Sequence, residues 1–484
     1  MTSKKNLITC AIDYVNASPH LGHALEKIFS DVIARYHRIA GEDVLFLTGV
    51  DENSLKNVRA AEKEGIRVNE LIDKYAQKFY KLKESLNLSY DDFIRTTEKR
   101  HILGAQKLWL ACQKDIYKKS YEGLYCVDCE EFYKERELVN GLCPDHKTKP
   151  ELIAEENYFF RLSRYTEALK KSIEQDKIRI IPETKKNEVL SFVSRGLEDI
   201  CISRLKERAR GWGIDVPSDP SQKIWVWFDA LSNYINALGY GENNDKFKEW
   251  WQENENKLHI IGKDILRFHA IYWPAILLSA DLNLPNEIFS HGFITVNGKK
   301  MAKSVGNVID PYELVEKYGA DAVRYFLLAE FPATEDGDFT YEKFENKYNG
   351  DLANGIGNLF ERVFTMAKNH TLEAEIDLEI KNLQEKTEKI YSEKMINYEL
   401  YEALNAVFAF SKKLDQYINQ KEPWRLLKNE DAKAGEILST LIFGVKNIID
   451  WLKPFMPTKM EEAKDYLKNL DNQKEKLNLF PRIR

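Results

Sequence analysis

The strongest constraint on this chain's fold is an apolar run, a short turn and an amphipathic helix in immediate succession near its start. "NLITCAIDYV" is rich in apolar and β-branched residues, and Asn16, Ser18 and Pro19 follow as turn residues. Leu25, Ile28, Phe29, Val32, Ile33 and Tyr36 then recur at the i, i+3, i+4, i+7 spacing of a helix with one buried face. Gly41 is placed to end that helix, and "DVLFLTGVDEN" reads as the next strand running into a loop. This order makes half of a doubly wound parallel α/β sheet, a fold that binds ligands at the carboxyl ends of its strands. The helix opens with "HLGH". A helix start offers unpaired backbone N–H groups and a positive dipole end, which attract phosphate. His20 and His23 could donate hydrogen bonds to phosphate oxygens there, and Gly22 would let a ligand lie against the backbone. Read alone, the two histidines could equally just cap the helix.

Helical sequence continues to about residue 118, after which the texture changes. Residues 119–165 hold Cys126, Cys129, Cys143 and His146 among many tyrosines and charges, which reads as an insertion. The α/β pattern resumes at "KIWVWFDALSNYI" and "LHIIGKDILRFHAIYWPAILL", and a loop rich in glycine and lysine, "VNGKKMAKSVGNV", comes next. From about 345 onward the periodicity is helical throughout, as in "ALNAVFAFSKKLDQYI". The 484 residues suffice for about three domains. No segment reaches the roughly 18 uninterrupted apolar residues of a membrane helix. "MTSKKN" lacks an apolar signal core, so a cytoplasmic protein without membrane contact is expected. The net charge of −6 argues against coating nucleic acid through global charge, though it leaves room for local basic surfaces such as "SRLKERARGWG".

In a reducing compartment the six cysteines are metal ligands or buried thiols rather than disulfides. Cys126 and Cys129 form a C-x-x-C knuckle, and Cys143 and His146 follow as C-x-x-H. Two close pairs of such ligands suit one tetrahedral zinc per chain, and four protein ligands make a closed, structural site. The alternatives are two buried thiols with a surface histidine, or a redox C-x-x-C, which would not need the second pair.

The loop at 300–304 reads "KMAKS" between Gly298 and Gly306. An H-x-G-H helix start followed by K-M-x-K-S, on two halves of an α/β sheet, resembles the paired signature of the class I aminoacyl-tRNA synthetases. "VWFDALSNYI", "GKDILRFHAIYWPA", "LEDICISR", "DLANGIGNLFERV" and "EPW" are similar to segments of the bacterial-type methionyl-tRNA synthetases. They stand in that family's order and span nearly the whole chain.

The resemblance implies a Rossmann-like catalytic domain split by a zinc-binding connective insertion and followed by an all-α helical bundle. The expected boundaries are 1–118 and 221–295 for the two catalytic halves and 119–220 for the insertion. A stem-contact region with the KMAKS loop would occupy 296–344, and the anticodon-binding domain 345–484. The implied activity is ATP-dependent ligation of L-methionine to tRNA(Met) through methionyl-adenylate, with Mg²⁺ accompanying ATP. His20, His23, Lys300 and Lys303 would be catalytic, and Gly22, Gly262 and Asp264 would join His20, His23 and Lys303 in binding ATP. Ala11, Ile12, Tyr14, Trp227, Ala230, Leu231, Tyr234, Ile265, Phe268 and His269 map onto the methionine pocket, with Asp51 holding the ammonium. Asn358, Arg362 and Trp424 map onto positions that read the CAU anticodon. The chain ends without the extra C-terminal domain through which some relatives dimerise, so a monomer is expected.

Three positions depart from the family pattern: Asp13 replaces proline or an aromatic, Ala302 replaces serine, and "GVDENSLKN" replaces a D-x-H-G loop. Two other classes of function share parts of the pattern. A nucleotidylyltransferase also opens a helix with H-x-G-H but needs neither the helical C-terminal region nor the zinc ligands. A non-catalytic tRNA-binding relative would have lost the histidines or the loop lysines, and all four are present.

Overall fold

The computed structural model describes residues 4–126, 131–144, 147–242, 244–301, 306–370, 372, 375–429 and 433–483. They form two compact units. The first comprises the residues up to Pro19, then His37–Lys83 and Ser89–His291; the second comprises His20–Tyr36, Glu84–Leu88 and the residues from Gly292 onward.

The first unit is built on a seven-stranded sheet whose pairings are all parallel. Lys5–Cys10 lies between Asp43–Asp51 and Lys257–Gly262, which pairs in turn with Glu287–His291. Leu7, Ile8, Phe46, Leu47, Ile260, Ile261, Ile288 and Phe289 are buried along these strands. Apolar runs without polar alternation are what a sheet covered on both faces requires, so the expected doubly wound sheet is what forms.

Two elements depart from the sequence reading. The helical stretch expected to reach about residue 118 is interrupted by the strand Asp92–Arg95 and ends at Ala111. That strand pairs with Leu47–Val50, and its four residues are too few to display a period. Within 119–220, the segment expected as the insertion, Arg179–Ile181 pairs parallel with Glu287–Phe289, so the chain returns to the main sheet midway. Around it, Glu131–Tyr133, Ile116–Cys126, Glu151–Phe160 and Ile200–Cys201 form a separate antiparallel sheet. In the basic stretch at 203–213, Arg208 pairs with Glu151 and Glu155, and Arg210 with Glu62.

The second unit holds a small sheet of Ile294–Val296, Lys299–Lys300 and Gly337–Phe339, and then helices. Asn358–Ala367, Leu378–Ile396, Leu400–Lys421, Pro423–Lys428, Lys433–Leu452 and Pro457–Lys468 follow in order. Leu404, Val407, Phe410, Leu414, Leu438, Leu441, Val445 and Ile448 fill their shared core. A charged pair lies deep in this unit. Arg324 is fully buried on the helix Ala320–Ala329 and donates to the Asp31 carboxylate at 2.7 Å. It also donates to the carbonyls of Phe455 at 2.8 Å, Pro454 at 2.9 Å and Leu86 at 3.1 Å. Among the described residues no helix is long and apolar enough to cross a membrane.

Candidate active site and tRNA-reading face

The helix opened by "HLGH" runs Leu21–Ile39, so His20 is its N-cap and His23 its third residue. The N–H of Gly22 donates to His20 Nδ1 at 3.1 Å, and the N–H of His20 donates to His23 Nδ1 at 3.0 Å. This is the reciprocal logic of a capping box, made here from two imidazoles. The rings stack with centroids 3.7 Å apart. Because each Nδ1 accepts a backbone hydrogen, the ring proton sits on Nε2, a donor suited to a phosphate oxygen. The capping and phosphate-binding readings of His20 and His23 are therefore the same geometry. Burial, then His23 and the Lys300 charge, push the His20 pKa down to about 2 against a backbone hydrogen bond that raises it. A Cβ on Gly22 would lie 3.0–3.1 Å from the His20 ring, tight enough to displace it.

The second signature is held on a hairpin. Asn297 (φ +52°) and Gly298 (φ +71°) make the turn between Ile294–Val296 and Lys299–Lys300, the left-handed pair favoured in two-residue hairpin loops. Asp338 Oδ1 accepts from the Gly298 N–H and from Thr295 Oγ1, each at 2.7 Å. Beyond the loop, Asn307 Nδ2 donates to the Lys300 carbonyl at 3.2 Å, closing its base. Lys300 Nζ sits 4.8 Å from the centre of the Phe293 ring. Ala302 and Lys303 lie outside the described residues.

The expected methionine-contacting side chains gather in the first unit. Ala11, Leu231, Tyr234 and Phe268 belong to one buried cluster, with Ile12, Tyr14, Trp227 and Ile265 packed against it. Ala11 follows the carboxyl end of Lys5–Cys10 and bonds through its N–H to the Ile260 carbonyl at 3.1 Å, while Tyr14 pairs with Asp51 at the end of Asp43–Asp51. Trp227 stacks flat on Phe268, centroids 3.7 Å apart, and meets Tyr14 edge-on at 6.5 Å. Ala230 is buried beside Leu231 on the short helix Val226–Leu231.

His269 Nδ1 donates to the Ile265 carbonyl at 2.9 Å, so its Nε2 accepts from the Tyr234 hydroxyl at 2.7 Å. That pair fixes both the tautomer and the tyrosine. Gly262 ends the strand Lys257–Gly262, where a Cβ would meet Asp264 Oδ1 at 2.9 Å.

Asp51, 3 % exposed, accepts from the Asn53 N–H at 3.2 Å. Sequence reasoning missed what stands behind it. Asn53 Nδ2 donates to Asp229 at 2.7 Å and to the Thr96 carbonyl at 3.1 Å, and fully buried Asp229 also takes a hydrogen bond from His101. The signal available was the DEN loop's departure from D-x-H-G and an aspartate inside "VWFDALSNYI".

Of the expected zinc ligands, Cys126 and Cys143 are buried, at 1 % and 0 % exposure. Both meet Thr148: Cys126 Sγ lies 3.7 Å from its hydroxyl, and the Cys143 N–H donates to its carbonyl at 2.9 Å. Thr148 thus joins the thiol of Cys126 to the backbone of Cys143. Cys129 and His146 lie outside the described residues, among which no group of three or more potential ligands is assembled.

Asn358 and Arg362 lie four apart on Asn358–Ala367, with Asn358 exposed. Arg362 pairs with Asp415 at 2.5 Å and with Asn419 Oδ1 at 3.1 Å, on the helix Leu400–Lys421. That helix ends at Glu422, whose φ of +44° turns the chain sharply into Pro423–Lys428 and its exposed Trp424.

The chain is similar to known proteins over nearly its whole length. Residues 6–151 and 145–364 match the family model described as tRNA synthetases class I (M), and residues 377–480 match the anticodon-binding domain of tRNA ligase. The methionine–tRNA ligase of Brucella suis is 43 % identical over 481 residues, covering 96 % of this chain and 92 % of its own. That of Thermotoga maritima is 40 % identical, covering 95 % and 74 %. The Mycobacterium tuberculosis methionyl-tRNA synthetase in complex with methionyl-adenylate superimposes with a TM-score of 0.92 at 36 % identity, covering 99 % of this chain and all of that one.

Proposed function

The chain belongs to the methionyl-tRNA synthetase family of class I, and from that premise we propose how its own side chains divide the reaction. It joins L-methionine to tRNA(Met) in an ATP-dependent reaction that passes through methionyl-adenylate. The methionine carboxylate is already an anion at neutral pH, so it attacks the α-phosphate without a general base and pyrophosphate leaves. Catalysis reduces to positioning and to stabilising charge as it develops on the phosphates.

The observation that carries the proposal is the paired imidazole cap. With both Nδ1 atoms occupied by backbone N–H groups, His20 and His23 are pre-set as Nε2–H donors to phosphate oxygens. Lys300 and Lys303 supply positive charge, Mg²⁺ accompanies ATP, and Gly262 and Asp264 receive the nucleotide at a strand end. In the first unit, Asp51 holds the substrate ammonium. The thioether offers no useful hydrogen-bonding group, so its selection rests on shape and on contacts with Tyr14, Trp227, Tyr234 and Phe268. Sulfur–aromatic contacts are worth about 0.3–1.5 kcal/mol each. Ala11, Ile12, Ala230, Leu231 and Ile265 complete the pocket wall, and His269 orients Tyr234.

The terminal adenosine of tRNA then attacks the adenylate carbonyl and displaces AMP. Asn358, Arg362 and Trp424 read the anticodon through exposed base edges and stacking, within a helical domain running from about 345 to the end. The knuckle on the insertion holds one structural zinc through Cys126, Cys129, Cys143 and His146, a reading supported by the burial of Cys126 and Cys143 and by the contacts both residues make with Thr148. The test is methionine-dependent ATP–pyrophosphate exchange followed by charging of tRNA(Met). Exchange driven equally well by other amino acids, or none with methionine, would overturn the pocket assignment.

A further inference from the structure

We propose that Asn53 and Asp229 are positioning residues for the methionine ammonium group, aligning the Asp51 carboxylate and tying it to the pocket wall. The proposal rests on the assignment of Asp51 as the ammonium's partner.

Asn53 spends every donor it has on this task. Its backbone N–H bonds Asp51 Oδ1 at 3.2 Å, and its side-chain amide gives one hydrogen to Asp229 Oδ2 at 2.7 Å and the other to the Thr96 carbonyl at 3.1 Å. Both neighbours of that amide can only accept, so its orientation is settled: a flipped amide would set oxygen against oxygen. The Asp51 main chain is held separately, its carbonyl accepting from Asn57 Nδ2 at 3.1 Å.

Asp229 receives the other end. Its second oxygen takes the His101 Nε2 hydrogen, and His101 Nδ1 in turn faces Asn236 Nδ2 at 3.4 Å. Asp229 is fully buried, with both carboxyl oxygens engaged by these partners. Asp229 also belongs to Val226–Leu231, the helix that presents Trp227 to Phe268. One amide thus links the group that receives the ammonium to the element that walls the thioether, setting the spacing between the two ends of the amino acid.

The test uses the full chain and methionine-dependent exchange. Asn53→Ala should raise the KM for methionine about tenfold, as expected for losing a hydrogen bond to a charged group. The KM for ATP should stay within about twofold. Inhibition by the des-amino analogue 4-(methylthio)butanoate should be unchanged, because that molecule has no ammonium to misplace. Asn53→His, which keeps one N–H for Asp229, should recover most of the loss.

A double-mutant cycle with Asp51→Asn supplies the decisive readout, since residues acting through one another are not additive. In the Asp51→Asn background Asn53→Ala should change the methionine KM little. If Asp51→Asn alone leaves that KM unaltered, the ammonium assignment fails. If Asp51→Asn weakens methionine but the two effects multiply in full, the assignment stands and the positioning role is refuted. It is refuted equally if the analogue weakens in parallel with methionine, or if folded Asn53→His is no better than Asn53→Ala.

Discussion

Replacing Trp424 with alanine separates anticodon reading from every other job the residue could do. Its side chain is 38 % exposed, on a six-residue helix entered through the left-handed turn at Glu422. A core tryptophan removed to alanine costs about 3–5 kcal/mol. A ring with more than a third of its surface in water loses much less, and in a chain of this length the melting temperature should fall by only about 1 °C per kcal/mol. If the ring stacks on an unpaired anticodon base, its loss costs about 1–3 kcal/mol of tRNA recognition. At about 1.36 kcal/mol per decade, charging should fall roughly five- to 150-fold. The side chains proposed for methionine activation belong to the first unit and the imidazole cap, none of them near Trp424 in sequence. Pyrophosphate exchange should therefore stay within about twofold of the parent. The assay is exchange, charging and thermal melting on one preparation. Exchange and charging falling together with a lowered melting point would show a packing role, and intact charging would remove Trp424 from the anticodon site.

Other outcomes follow from the same geometry. Lys303→Ala should lower methionine-dependent exchange by about two to three decades while methionine binding changes only a few-fold, because a donor aimed at developing charge is worth about 3–4 kcal/mol there; equal losses in rate and binding would assign it to ground-state contacts. Metal analysis should find one zinc per chain, lost in Cys126→Ser, whereas a folded, metal-free parent protein would refute the four-ligand knuckle. His20 ionises near its usual 6.5 when the chain is unfolded but only at about 2 when folded, so below pH 6.5 the unfolded chain binds the extra proton and stability declines as pH falls through that window. The decline is at most about 1.4 kcal/mol per pH unit, and melting of His20→Gln between pH 7 and 5 should be flatter than that of the parent; identical slopes would contradict the buried, neutral ring.

The sequence carried the parts of the fold that repeat locally. Leu25, Ile28, Phe29, Val32 and Ile33 display one buried helix face within three turns, and all five are buried. The H-x-G-H cap was legible because its hydrogen bonds close within four residues. The strands Asp92–Arg95 and Arg179–Ile181 were not, since four and three residues are too short to show alternation. Asp229 was hidden for a different reason. Its partners Asn53 and His101 lie 176 and 128 positions away, so nothing beside it in the chain marks it as more than a polar residue in an apolar helix. The same holds for Arg324, where helix periodicity reports a buried position but not the carboxylate that makes a buried guanidinium tolerable.

Arg324 also imposes an order on biosynthesis. Its guanidinium joins Asp31, the Leu86 carbonyl and the carbonyls of Pro454 and Phe455, so a nascent chain acquires these partners in sequence as it leaves the ribosome. Asp31 emerges first and waits for Arg324; Arg324 then waits for the segment at 454–455. At about 5–20 residues per second, roughly 20 to 80 s separate the first of these groups from the last. For that interval the guanidinium and its carboxylate lack the carbonyls that complete their burial, and a chain truncated before residue 454 never acquires them.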